Sequence, residues 1–253
     1  MATKECIDLV SILSVNIFKL TSIFLIAYIG GLLVKYKGVR VNYTRKVNHF
    51  LLFFIPAFVD KLFICNESAA YCISEAIFTF GSFIIFIKPV RESVFFIKTA
   101  FSSFDRPEDR PYTLTWYVTQ ELLGYAVIMS AIAIYEKYNI INLLSIPILV
   151  SVFGDGLAEP IGVRFGRIKY SAYALFTKRK YTRSLEGSLA VFVSSILITS
   201  LFYPNFNPVQ FMVALLAIPL TMTLSEAFAP HSWDNPLMCL AGFTIIFFIK
   251  HFL

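Results

Sequence analysis

The chain alternates long apolar runs with short polar loops, and the runs fall at about residues 9–34, 48–65, 69–88, 114–135, 140–163, 187–203, 209–229 and 236–253. A helix needs about 20 apolar residues to cross roughly 30 Å of hydrocarbon, which is near the length of each run. None shows the period of two that a barrel strand requires, and backbone groups in lipid must be satisfied within the segment. The pattern predicts an all-α fold, a polytopic integral-membrane helical bundle of about eight transmembrane helices. Seven to nine is the range, because the second, sixth and eighth runs are short or frayed. Pro56, Pro147 and Pro219 predict kinks in the second, fifth and seventh runs.

Composition narrows the class. Of 253 residues, 57% are hydrophobic and only 15% are charged, against roughly 25% charged in soluble domains. No stretch remains for a soluble domain, so 1–253 reads as a single membrane-embedded domain. Lys4, Glu5 and Asp8 precede the first run and Lys19 interrupts it, with no small-residue cleavage motif following, so a retained anchor is expected rather than a cleaved signal peptide. Cys6, Cys65, Cys72 and Cys239 form no CxxC and have no His at ligand spacing, which predicts neither a disulfide framework nor a zinc site. The sequons at Asn42 and Asn66 lie on the expected cytosolic side and in a very short loop, and neither is expected to carry glycan.

The net charge of +6 does not point to nucleic acid, because the basic residues sit at the ends of apolar runs, where they meet head groups and phosphates. With the N-terminus outside the cytosol, the loops after runs one, three and five face inward. They hold Lys35, Lys37, Arg40, Arg45 and Lys46, then Lys88, Arg91, Lys98, Arg106 and Arg110, then Arg164, Arg167, Lys169, Lys178, Arg179, Lys180 and Arg183, together 17 of the 22 basic residues. This asymmetry sets the orientation. No internal repeat is present, which argues against an inverted-repeat transporter.

The same inward side collects the polar clusters. Arg45 and His49 are one helical turn apart beside Lys46, suited to grip a phosphate or simply to anchor in head groups. In "VSVFGDGLAEPIGVRFGRIKY", Asp155 and Glu159 are spaced i, i+4 near the cytosolic end of the fifth run, and intramembrane acids are costly unless they face a protein interior or a wet cavity. Two such carboxylates suit Mg²⁺, which takes one or two carboxylates with phosphates and water. Gly154 and Gly156 would allow close approach to the backbone, while Gly162 and Gly166 form a GxxxG packing pair. Downstream, Lys178, Arg179, Lys180 and Arg183 precede Ser184, Glu186, Gly187 and Ser188, a setting for polyphosphate at a helix start or for an ordinary Ser184 cap. The last inward loop, "SEAFAPHSWDNPL", carries Glu226, His231, Asp234 and Asn235 and no Lys or Arg, so a chemical role is expected for it.

Taken in order, "RKVNH", "GDGLAEPIGVRFGRIKY" with "RSLEGSLAVF", and "EAFAPHSWDN" resemble the motifs of the membrane-embedded lipid-alcohol kinases. That family includes phytol, farnesol and dolichol kinases and the CTP-dependent diacylglycerol kinase, and it is related to phosphatidate cytidylyltransferase. The resemblance runs from Arg45 to Asn235. It implies an Mg²⁺-dependent enzyme that transfers a phosphoryl group from CTP, or another nucleoside triphosphate, to a lipid alcohol dissolved in the bilayer. It implies Asp155, Glu226 and Asp234 as catalytic residues and Asp155, Glu159 and Asp234 as metal ligands, with Glu159 standing where the phytol kinase pattern has Asp. It also implies a nucleotide and phosphate set of Arg45, Lys46, His49, Gly154, Gly156, Arg164, Lys180, Arg183, Ser184, Glu186, Gly187, Ser188 and Asn235.

The partners implied are the bilayer, the lipid alcohol and the nucleotide, with homo-oligomers left open. The alternatives are a CDP-lipid synthase, a diacylglycerol kinase, and a transporter or channel with an ion path along Glu75, Glu121 and Asp155. "YTRSLEG" and "HSWDNP" favour a kinase over the synthase, whose pattern has a longer "SPKKTxEG" run and a terminal Asp-Arg pair. In the kinase reading, Glu75, Gln120 and Glu121 are candidates for lining the alcohol pocket.

Overall fold

The computed structural model describes residues 9–63, 69–174 and 179–253, with the side chains of residues 9–11, 69, 70 and 72 outside that description. The chain forms two compact units, residues 1–114 and 115–253.

The first unit contains α1 (Leu9–Lys37), α2 (Val41–Phe63), α3 (Ala69–Ser82), α4 (Lys88–Ser93) and α5 (Phe95–Ser102). Where α1 crosses α5 the backbones nearly touch: a Cβ on Gly31 would stand 1.8 Å from the Thr99 carbonyl oxygen. Helix α2 begins several residues ahead of the apolar run that announces it. The Thr44 hydroxyl donates to the Ser103 carbonyl at 2.6 Å and Asn48 donates to the Ser103 hydroxyl at 2.7 Å, so polar residues of its first turns are held inside the unit.

The second unit holds α6 (Thr113–Lys137, beginning at the boundary), α7 (Ser145–Val150), a π turn at Ser151–Asp155, α8 (Gly156–Phe165), β1 (Lys169–Tyr173), β2 (Lys180–Ser184), α9 (Leu185–Leu201), α10 (Pro208–Phe228) and α11 (Asp234–Phe252). Helices α7 to α11 surround a core that includes Ile146, Val150, Val191, Ala214, Ile218, Met222, Met238 and Ile246. The Tyr135 hydroxyl ties α6 to α11 by donating to the Phe243 carbonyl at 2.8 Å. The antiparallel hairpin β1–β2 pairs Lys169 with Ser184 and Tyr173 with Lys180. It departs from the all-helical expectation, which read this basic stretch as a loop.

Among the described residues, five helices are long and apolar enough to cross a membrane: Ile12–Lys37, Thr113–Lys137, Ile141–Phe165, Pro208–Phe228 and Asp234–Phe252. Ile73–Phe86 and Leu185–Leu201 are apolar but shorter, and α2 is in neither group because its first third is polar. Helix α9 is turned inside out relative to a soluble helix. Leu185, Leu189, Val193, Leu197 and Leu201 follow one another at intervals of four on its exposed face, whereas Ser188, Ser194, Ser195 and Thr199 are buried. In lipid, outward leucines lose nothing, and small or hydroxylated residues inside let helices approach closely.

Of the cysteines, Cys239 is buried with a free thiol, while Cys6, Cys65 and the side chain of Cys72 lie outside the described residues, as do Lys4, Asn66 and Lys178.

Candidate functional site

The polar centre of the second unit gathers where the turn between α7 and α8, the hairpin, the start of α9 and the α10–α11 connection meet. The fifth run is one continuous coil that widens at Ser151–Asp155. Such π turns carry an extra residue in a turn and often mark functional sites. Ser151, Gly154 and Asp155 are buried on this turn, Asp155 only 5% exposed. Ser151 donates to the Asn235 amide oxygen at 2.8 Å, which joins the turn to the first residues of α11. Glu159 follows one turn along α8, half-buried.

Glycines set the helix spacing here. A Cβ on Gly187 would lie 2.7 Å from the Ala158 carbonyl oxygen, so α8 and α9 cross with backbone against side-chain-free backbone. A Cβ on Gly154 would meet Val191 of α9 at 3.2 Å, so this glycine lets the turn lie close to α9. Gly162 and Gly166 flank Ser184 in the same way, and Gly156 is buried at the start of α8.

Strand alternation decides which cations face inward. Successive side chains of a strand point to opposite faces. On β2 this leaves Lys180 and Thr182 exposed and turns Tyr181 and Arg183 inward. Lys180 and Arg183, expected to hold phosphates together, are therefore parted by the pleat. Lys180 lies over the Tyr173 ring at 5.5 Å, and the exposed Arg164 lies over Phe165 at 5.5 Å.

Arg183 is the hub of the inner face. Its Nη2 is 3.4 Å from Asp234 Oδ2, its Nη1 is 3.7 Å from Glu226 Oε1, and that buried Nη1 has no hydrogen-bond acceptor among the described residues. Glu226, 5% exposed near the end of α10, accepts a hydrogen bond from the Ser188 hydroxyl at 2.9 Å. Ser188 is in turn 2.6 Å from the Tyr170 hydroxyl on β1. The negative charges of Asp234 and Asp155 also act on Glu226. Two carboxylates, Glu226 and Asp234, thus share one guanidinium. Burial first, and then the Glu226 charge, raise the Tyr170 phenol above its ordinary range, so it remains a donor.

The remaining predicted residues have identifiable places. Ser184 caps α9 by accepting the Gly187 N–H at 3.1 Å. Glu186 accepts the backbone N–H of Arg167 at 2.8 Å and of Ile168 at 3.3 Å, which pins the link between α8 and β1. Arg45, Lys46 and His49 lie on the second and third turns of α2 in the first unit, Lys46 buried and His49 edge-on to Phe50 and Phe53. Asp234 and Asn235 open α11.

Among the described residues, no three His, Cys, Asp or Glu side chains converge as a metal shell. Asp155 and Asp234 are oxygen donors of the kind Mg²⁺ ordinarily takes, one or two carboxylates completed by phosphates and water, and would be its ligands here.

Glu75, a stop on the ion path of the transporter alternative, has a partner of opposite charge. Lys19 Nζ is 2.5 Å from Glu75 Oε1 and 2.5 Å from the Tyr71 hydroxyl, and it contacts Asp60, to which Tyr71 also donates. Asn16 donates to Ser74 at 3.1 Å beside them. The group is an ion-pair and hydrogen-bond network within the first unit, and an intramembrane lysine with named counter-charges is what the cost of burial demands.

Tyr170 and Ser151 were not among the candidates, nor was the stack in which Tyr181 lies flat on His231 at 3.5 Å with Trp116 edge-on to both. Alternation in "IKYSAY" was the available signal for Tyr170, since a strand there points Tyr170 and Ala172 to the same side. Ser151 had no signal, because its role depends on the π turn.

Together these features define a helical protein with, among the described residues, five bilayer-length helices, and with a buried acid–arginine cluster in its second unit. Comparison of the chain with family models, with curated proteins and with solved structures gives no match.

Proposed function

We propose that the chain is a multi-pass membrane enzyme that transfers a phosphoryl group from CTP, or another nucleoside triphosphate, to the hydroxyl of a lipid alcohol, most naturally an isoprenoid alcohol, giving the lipid monophosphate. The observation that carries this reading is the Glu226 carboxylate, buried between Ser188 and Arg183 and facing the charges of Asp155 and Asp234. Phosphoryl transfer asks for positioning, charge neutralisation and a base for the alcohol proton. Glu226 is the base, Arg183 holds phosphate oxygens, and Asp155 and Asp234, with Glu159 one turn away, would hold Mg²⁺, whose charge offsets that of the triphosphate. Asn235 and Ser151 fix the α11 start against the π turn and so keep Asp234 oriented toward Arg183.

The charge asymmetry of the loops supports a cytosolic face for this site, with the N-terminus opposite. A long-chain alcohol dissolves among the outward leucine faces and presents its hydroxyl at the interface.

The test is purified protein with labelled CTP, Mg²⁺ and a panel of phytol, farnesol, geranylgeraniol, dolichol and diacylglycerol. At least one alcohol becomes phosphorylated with release of CDP; release of pyrophosphate would instead identify a CDP-lipid synthase. Asp155→Asn abolishes turnover while thermal unfolding stays that of a folded protein, and full activity in that variant would remove Asp155 from the site.

A further inference from the structure

The Glu226–Ser188–Tyr170 chain leads from the interior to the hairpin surface. Glu226 and Ser188 are each 5% exposed and Tyr170 is half-buried, with oxygens 2.9 Å and 2.6 Å apart along the chain. Among the described residues, Ser188 is the hydrogen-bond donor to Glu226. Its single proton is committed to the carboxylate, so Tyr170 supplies the second bond by donating to the Ser188 oxygen. Both hydroxyls therefore point their protons toward the acid. A buried base that takes up a proton in each cycle must lose it before the next, and a carboxyl walled by Arg183 on one side needs a route out on the other.

We infer that Ser188 and Tyr170 form a proton wire that drains Glu226 to the aqueous side of the hairpin. This rests on the kinase reading. As the alcohol oxygen bonds to the γ-phosphorus and the nucleoside diphosphate leaves with the electron pair of the broken P–O bond, the alcohol proton passes to the Glu226 carboxylate. The two hydroxyls then rotate so that their protons point outward. The carboxyl proton moves to Ser188 Oγ, the proton Ser188 carried moves to the Tyr170 oxygen, and the Tyr170 proton passes to water, which leaves both hydroxyls pointing toward the acid as at the start. Ser188 and Tyr170 are positioning residues, because neither touches the reacting atoms.

A role limited to satisfying a buried acid makes different demands. Tyr170→Phe keeps the ring and the Ser188–Glu226 bond but cuts the wire. It is expected to lower kcat by about tenfold or more, within the range of general acid–base effects, with KM for CTP unchanged and a larger solvent deuterium isotope effect on kcat. Ser188→Ala does the same, and Ser188→Thr recovers most of the loss. Wild-type kcat and isotope effect in Tyr170→Phe would overturn the wire.

A second measurement needs no turnover: deuterium exchange into the Glu226 carboxyl at acidic pH, followed by the infrared C=O stretch and assigned with Glu226→Gln. Exchange slows about tenfold or more in Tyr170→Phe and Ser188→Ala, whereas equal rates would sink the wire. A wild-type protein that phosphorylates no alcohol refutes the kinase reading alone, and the exchange rates still decide the wire.

Discussion

The guanidinium of Arg183 stands 3.7 Å from the carboxylate of Glu226, one on the inner face of a surface hairpin and the other near the end of a helix some forty residues on. A second contact, 3.4 Å to Asp234, makes this arginine the common counter-charge of the α10–α11 connection. Both Arg183 and Glu226 are largely buried, so the pair is coupled with little screening by water.

Removing one partner of a buried pair leaves an uncompensated charge, at a cost of about 3–5 kcal/mol. Arg183→Gln is expected to destabilise the protein on that scale in thermal or denaturant unfolding in micelles. The double variant Arg183→Gln/Glu226→Gln regains part of the loss, because the stranded carboxylate is gone. Strict additivity of the two single variants would show that the pair is not coupled.

The Lys19 network makes a parallel case in the first unit. Lys19→Met strands Asp60 and Glu75 and is expected to lower unfolding stability by about 3 kcal/mol, whereas Lys19→Met/Asp60→Asn/Glu75→Gln recovers much of it. An ion path through Glu75 would instead appear as a cation flux in proteoliposomes that Glu75→Gln abolishes. No such flux is expected, since Lys19 already neutralises that acid.

Tyr170 supplies a pH signature outside the membrane-spanning helices. Its folded-state pKa is raised, by burial first and by the Glu226 charge second. A raised pKa means that the neutral phenol stabilises the fold. That contribution is complete below the unfolded tyrosine pKa of about 10 and is lost as pH rises through the higher folded value. Wild-type stability should therefore fall more steeply above about pH 10 than that of Tyr170→Phe, with the Tyr170 phenolate band appearing late in the difference ultraviolet titration. A matching decline in both proteins would contradict the assignment.

Helix placement was legible because length and hydropathy are local properties. The apolar runs that begin near 114, 209 and 236 start within two residues of α6, α10 and α11, and Asp155 sits on the helical turn that its apolar neighbours implied. The start of α2 was missed because Thr44 and Asn48 satisfy polar groups against Ser103, a contact that no local pattern announces. The hairpin was missed because a basic stretch obeys the positive-inside rule whether or not it pairs as strands.

By itself, the sequence determined that the protein is helical, that its hydrophobic surface is suited to lipid, and that its acids and cations gather in a few segments. All three follow from the cost of exposing or burying each residue type where it stands in the chain. Only the tertiary structure decided which of those charges meet. The pleat of β2 separated Lys180 from Arg183, the π turn brought Ser151 to Asn235, and the crossing of α9 and α10 set Ser188 on Glu226. Such partners are chosen by how elements rotate and pack against one another, through distances of about 3 Å that residue spacing along the chain does not encode.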